Sequence, residues 1–221
     1  MPDVLEIATL HGPARAHLQL RAGARGALVL GHGAGGGVNA PDLAAAARAA
    51  AGAGFSVVLV EQPYRVAGRR SPAPAHQLDA AWTAVASHLR DGDLAGLALV
   101  TGGRSSGARV ACRTAAATGA AGVLCLAFPV HPPGRPEKSR LGELDAVPVP
   151  VLVVQGERDP FGMPPPATGR TVVKVAGDHG LKADVGALAA AVGAWLEGGW
   201  LSSTRGNRRR AGASRGDRTA D

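Results

Sequence analysis

The sequence predicts an α/β protein with a mostly parallel sheet flanked by helices. Three observations carry that prediction. Short apolar segments alternate with helical ones almost throughout, the order that a parallel sheet wrapped on both faces requires. The strand segments are near-continuous apolar runs, such as Ala27-Leu-Val-Leu-Gly31 and Phe55-Ser-Val-Val-Leu-Val60, as expected of strands buried on both sides. Glycine-rich or polar loops follow several of these runs, at the strand ends where ligands meet such sheets.

Taken in order, residues 4–10 and 14–20 read as two strands around the turn His11-Gly12-Pro13, forming an N-terminal hairpin. Strand 27–31 runs into the loop His32-Gly33-Ala34-Gly35-Gly36-Gly37. Residues 41–52 form an alanine-rich helix with Pro41 in its first turn, where the missing N–H costs nothing. Strand 55–60, a polar loop at 61–73 and a helix at 75–90 follow. Strand 95–101 leads through a tight turn into helix 106–118. Then come strand 122–127, a proline-rich loop at 128–148, strand 149–155, strand 171–175 and a helix at about 183–197. No internal repeat is present. The domain is assigned to residues 1–201, with no room for a large cap domain; loop 128–148 is the only candidate lid.

Composition narrows the function classes. The net charge of +7 is unevenly placed: the segment 202–221 holds six Arg and two Asp and contributes +4 of it, leaving a mildly basic body. That segment has almost no apolar residues and is expected to be a disordered basic tail. A nucleic-acid partner is not favoured, since a basic run alone is a weak signal. The two cysteines, Cys112 and Cys125, lie among apolar residues and suit packing as reduced thiols in a cytoplasmic protein. No metal-ligand spacing occurs. The N-terminus lacks a secretory pattern, and no stretch approaches the roughly 18 apolar residues of a membrane span.

The chemistry-bearing pattern is Gly103-Arg104-Ser105-Ser106-Gly107. A serine hydroxyl becomes a useful nucleophile only when it is exposed, close to a base and beside a site for the oxyanion. A strand that turns sharply into a helix gives the exposure, and glycines two positions either side leave room for the strained turn. Ser105 is the central residue. Ser106 is a rival hydroxyl but lacks the symmetrical glycines, and its backbone N–H is better used as an oxyanion donor. A second donor is expected after an earlier strand, and the N–H of Ala34 in the glycine-rich loop fits. His32 reads as a structural hydrogen-bonder in that loop. Neither a Walker nor a dinucleotide glycine pattern is present, so no nucleotide cofactor is expected.

The acid and base follow downstream. Asp159 lies in Gln155-Gly-Glu157-Arg-Asp159-Pro160, after strand 149–155, and His179 lies in Gly177-Asp178-His179-Gly180, after strand 171–175. The order Ser, Asp, His is one that hydrolases use. Glu157 or Asp178 could replace Asp159, whereas His131 precedes the acid and breaks the order.

With these pieces the chain resembles the α/β-hydrolase superfamily over about residues 1–200. The segments around His32, Gly103–Arg109, Gln155–Gly162 and Gly177–Lys182 resemble one branch in particular. That branch is the testis-expressed-protein-30-like hydrolases, related to dienelactone-hydrolase-like proteins and to a chromatin-complex subunit. The resemblance implies the triad Ser105, Asp159 and His179 and no defined substrate; the residue patterns themselves call for no cofactor and no metal. The segment Gln62-Pro63-Tyr64 to Pro72 is similar to one in that branch, and singles out Arg69 and Arg70 as candidates for binding an anionic substrate group. Ser106 departs from the branch, which often has Met there; the backbone donor is kept.

The resulting expectation is a serine hydrolase acting on a small-molecule acyl substrate, a carboxylic ester or thioester. The alternatives are a catalytically silent binding or scaffold module on the same fold, and a nucleic-acid-associated protein acting through its tail.

Overall fold

The computed structural model describes residues 3–198 of the chain. The basic tail at 202–221 and the end of the domain assigned to 1–201 lie outside the described residues.

The alternation of apolar runs resolves into one eight-stranded sheet, order β1-β2-β4-β3-β5-β6-β7-β8. Its strands are β1 (Asp3–Ile7), β2 (Ala14–Gln19), β3 (Ala27–Gly31), β4 (Ser56–Glu61), β5 (Leu99–Arg104), β6 (Gly122–Leu126), β7 (Val151–Gly156) and β8 (Arg170–Val175). The N-terminal hairpin pairs antiparallel and joins β4 antiparallel, while every pair from β4 to β8 is parallel. Strands β3, β6 and β7 are buried at every position, β3 and β6 as their unbroken apolar sequences require and β7 with polar Gln155 near its end.

Side-chain alternation divides the core between the two faces. Leu28 and Leu30 of β3 face α1 (Pro41–Gly52) and α6 (Val185–Glu197), which pack on each other through Leu43, Leu188, Val192 and alanines. Ala27 and Val29 face the other side, under α3 (Ala75–Asp91). That helix buries Leu78, Ala81, Trp82, Val85, Ala86 and Leu89, the 3.6-residue spacing of a helix with one apolar stripe. Beside it lies α4 (Ser106–Thr114), over β5 and β6.

Three differences from the sequence reading have local causes. The central strand ends at Arg104 rather than 101, because Gly102 and Gly103 pair in register with Leu124 and Gly31 despite their poor strand propensity. Residues 115–118 leave the helical ladder after Thr114, whose hydroxyl donates to the Val110 carbonyl, and Gly119 turns the chain with a positive φ. Two short helices sit inside segments read as loops: α2 (Pro63–Val66), started by a proline at its first position, and α5 (Leu141–Asp145), anchored by Leu144. No separate cap domain is present among the described residues. No helix there is long and apolar enough to cross a membrane.

Candidate active site

The site forms at the carboxyl ends of β5, β7 and β8. Strand β5 must turn into α4 within one residue, and Ser105 makes that turn with φ 51° and ψ −106°. Such a conformation is costly for an L-residue, of order 1–3 kcal/mol, and persists only where the surroundings enforce it. Here they do. The Ser105 N–H donates to the Leu126 carbonyl at 2.9 Å. A Cβ at Gly103 would overlap the carbonyl oxygen of Gly31, and one at Gly107 would lie 2.5 Å from the same oxygen. The two flanking glycines therefore let the elbow press against β3.

The structure brings Ser105, His179 and Asp159 together. Ser105 Oγ lies 2.9 Å from His179 Nε2, and His179 Nδ1 lies 2.8 Å from Asp159 Oδ2. His179 sits in the loop after β8, and Asp159 in the loop after β7. With Asp159 ionised, Nδ1 carries the proton and donates to it, leaving Nε2 free to accept from the serine hydroxyl. The Asp159 carboxylate is buried and multiply held: Oδ1 accepts the Phe161 N–H at 2.9 Å, and Oδ2 accepts from Gln155 Nε2 at 2.8 Å as well as from His179. The Phe161 ring meets the imidazole edge-on, centroids 4.3 Å apart. The other acids lie elsewhere. Glu157 is exposed, and Asp178 accepts the Gly180 N–H in its own loop. His131 Nδ1 donates to the carbonyl of its neighbour Pro132 at 2.9 Å, and the imidazole partner of Ser105 is His179 instead.

The glycine-rich loop after β3 runs beside the nucleophile. A Cβ on Gly33 would fall 3.7 Å from Ser105 Cβ, so the loop runs in van der Waals range of the elbow. His32 is buried; its Nδ1 donates to the Gly33 carbonyl at 2.8 Å, and its Nε2 accepts the Gln62 N–H at 3.1 Å. Burial lowers its pKa, so this imidazole is a neutral structural strut. The Tyr64 hydroxyl donates to the Ala34 carbonyl at 2.8 Å, and burial pushes the phenol up to about 12. Ser106 opens α4, so its N–H belongs to the first helical turn, whose donors lack intrahelical acceptors.

Arg69 and Arg70 are exposed. Arg69 lines a pocket of about 310 Å³ walled by Pro63, Tyr64 and Leu78. A larger cleft of about 510 Å³ adjoins the elbow, lined by Gly33, Gly35–Gly37, Asp42, Arg104, Gly180 and Lys182.

Residues 24–184 match the alpha/beta hydrolase domain family. The chain belongs to that family. Its fold is shared by solved alpha/beta hydrolases. An alpha-beta serine hydrolase homologue from Coxiella burnetii superposes with a TM-score of 0.70 at 17% identity, over 88% of this chain and 97% of that one. A serine hydrolase without a lid from Xanthomonas campestris gives 0.69 at 23%, over 88% and 95%. Dienelactone hydrolase from Anabaena variabilis gives 0.70 at 18%, over 92% and 97%. A search of curated proteins returns no match.

Within this alpha/beta hydrolase, sequence reasoning missed several residues that contact the site. Gln155 holds Asp159, Phe161 packs on His179, and the Arg104–Asp42 pair borders the cleft. Their signal was present only as position: each lies within four residues of a motif residue or in the first turn of the helix after the glycine loop. Among the described residues, no cluster of His, Cys, Asp or Glu is placed to hold a metal ion.

Proposed function

We propose that the protein is a serine hydrolase that cleaves a carboxylic ester, thioester or related acyl bond. The observation that carries this reading is the continuous Ser105–His179–Asp159 chain, at 2.9 and 2.8 Å, on a strained elbow.

Ser105 Oγ attacks the acyl carbon while its proton passes to His179 Nε2; Asp159 holds the imidazole in the required tautomer and stabilises its charged form. The C–O bond that forms moves an electron pair onto the former carbonyl oxygen. The N–H groups of Ser106 and Ala34 are the proposed donors to that oxyanion. Collapse expels the alkoxide or thiolate, which takes the proton from His179. Water, deprotonated by the same imidazole, then attacks the acyl-enzyme, and the carboxylic acid leaves with Ser105 regenerated. The open cleft suits a small acyl substrate. Arg69, at the neighbouring pocket, and Arg70 remain candidate contacts for an anionic end of that substrate. The two buried thiols, which stand 3.4 Å apart and unbridged, suit a reducing compartment, and a cytoplasmic location fits them.

The test is labelling with a fluorophosphonate probe, followed by a screen of short acyl esters and thioesters. Wild type is expected to label at Ser105 and turn over at least one ester, and Ser105→Ala to do neither. A folded wild type that neither labels nor turns over any of them overturns the reading and leaves a silent binding module.

A further inference from the structure

We infer that Arg104, the residue before the nucleophile, is a positioning residue that holds the His179 loop in register with the elbow. This role rests on the serine-hydrolase reading above. Its basis is how one guanidinium meets three separate segments. Nη2 donates to the main-chain carbonyl of His179 at 3.0 Å. Nε lies 2.8 Å from Oδ2 of Asp42, in the first turn of α1; the pairing is one of charge, since that oxygen has no aligned hydrogen bond. Nη1 lies against Gly33, where an added Cβ would come within 2.9 Å of it. Arg104 thus joins the base-bearing loop, helix α1 and the glycine loop beside Ser105.

The chemistry of each partner supports this assignment. The Asp42 side chain is 1% exposed and lies where burial pushes its carboxyl up, with Arg104 pulling it back down. A buried carboxylate is retained only with a cation beside it, so Asp42 fixes the guanidinium rather than solvating the surface. The imidazole of His179 is oriented by Asp159 and Phe161, but those contacts set the ring. The peptide that carries the ring has its carbonyl tied to Arg104. The planar fork is required because one side chain must reach two acceptors in different directions, which a lysine ammonium on a flexible stem does poorly.

Arg104 touches no reacting atom, so its loss should lower kcat and leave KM nearly unchanged. With p-nitrophenyl acetate, an uncharged ester, Arg104→Ala and Asp42→Asn are each expected to lower kcat by about 10–100-fold, with KM within about threefold. Arg104→Lys should recover part of the loss, and a low, non-denaturing concentration of guanidinium should restore activity to Arg104→Ala alone. Thermal melts confirm that each variant is folded, and Asp42→Asn keeps the test open if Arg104→Ala is not. A readout independent of turnover is the far-downfield proton of the His179 Nδ1–H···Asp159 bond in NMR, expected to broaden or vanish in the Arg104 variants. Folded variants that keep wild-type kcat and that proton resonance overturn the role of Arg104. So does a change in KM alone, which would make Arg104 a substrate contact. Wild type that fails to label with fluorophosphonate defeats the nucleophile reading instead, and the NMR comparison still decides the positioning one.

Discussion

Replacing Gln155 by glutamate should make the protein's stability depend on pH in a direction set by one amide. Gln155 is fully buried at the end of β7. Its Nε2 lies 2.8 Å from Asp159 Oδ2, 2.9 Å from the Gly162 carbonyl and 3.0 Å from the Phe128 carbonyl, so two hydrogens serve three acceptors. Glutamate has the same shape but, when ionised, only oxygens to offer a carboxylate and two carbonyls. It must hold a proton in the folded state, and its folded pKa is raised above the unfolded value of about 4.3. The stability of Gln155→Glu is therefore fully present below that unfolded pKa and is lost as pH rises toward the folded one. The loss is about 1.4 kcal/mol per pH unit, or roughly 2.7 kcal/mol between pH 5 and 7. For a domain of this size that widens the Tm deficit relative to wild type by about 5–11 °C. Gln155→Leu removes the donors without adding a charge and should cost about 3 kcal/mol with little pH dependence. Melts followed by circular dichroism at pH 5 and pH 7 decide the matter. If the deficit of Gln155→Glu does not grow with pH, the amide does not hold Asp159 as described.

Other outcomes follow from the same geometry. Gly107→Ala places a methyl 2.5 Å from the Gly31 carbonyl oxygen and should destabilise by about 2 kcal/mol or more, read as a lower denaturant midpoint. The Tyr64 phenol is raised to about 12, so the stability it contributes is present below its ordinary value of 10.0 and lost between pH 10 and 12; Tyr64→Phe should flatten that decline in alkaline melts. Cys112 and Cys125 are both buried, and neither should react with a thiol reagent until the protein is unfolded, when both should. Glu143→Ala removes the carboxylate that joins α5 to Arg109 and Arg113, and should speed amide exchange across residues 128–148 without changing fluorophosphonate labelling at Ser105.

The parts of the fold legible in the sequence are those with a periodic or steric signature. Unbroken apolar runs such as 27–31 and 122–126 can be satisfied only by strands buried on both faces, and the structure has them there. Gly103 and Gly107 are legible because the Gly31 carbonyl leaves no space for a side chain at either. The order of Ser105, Asp159 and His179 is likewise a pattern along the chain, and the fold places the three within hydrogen-bond distance. What the sequence does not display is contact between segments that have no common period. Arg104 meets His179 across 75 positions, and Tyr64 reaches Ala34 across 30. Nothing local in Arg104 or Asp42 separates a buried pair from two solvated charges; only the approach of α1 to the elbow does. Helix α5 was illegible because five residues held by one buried leucine have no periodicity to detect.

The loop 128–148, the sequence's only candidate lid, is anchored through α5 and through the His131 N–H, which donates to the Phe161 carbonyl at 3.3 Å. Leu144 is buried, and with Leu141 it joins the apolar cluster of Cys112, Phe128 and Val153. Glu143 accepts from Arg109 Nε at 2.8 Å and lies 3.3 Å from Arg113 Nη1, while Arg113 Nε donates to Asp79 on α3 at 2.8 Å. Lifting α5 would break these half-buried pairs together and expose Leu144 to water. The cleft that adjoins the elbow is bounded in part by backbone, at Gly33 and Gly35–Gly37. Glycine there admits a substrate close to the main chain but gives no side chain to grip it. The side chains that meet a substrate in that cleft therefore include Pro41 and the charged Asp42, Arg104 and Lys182.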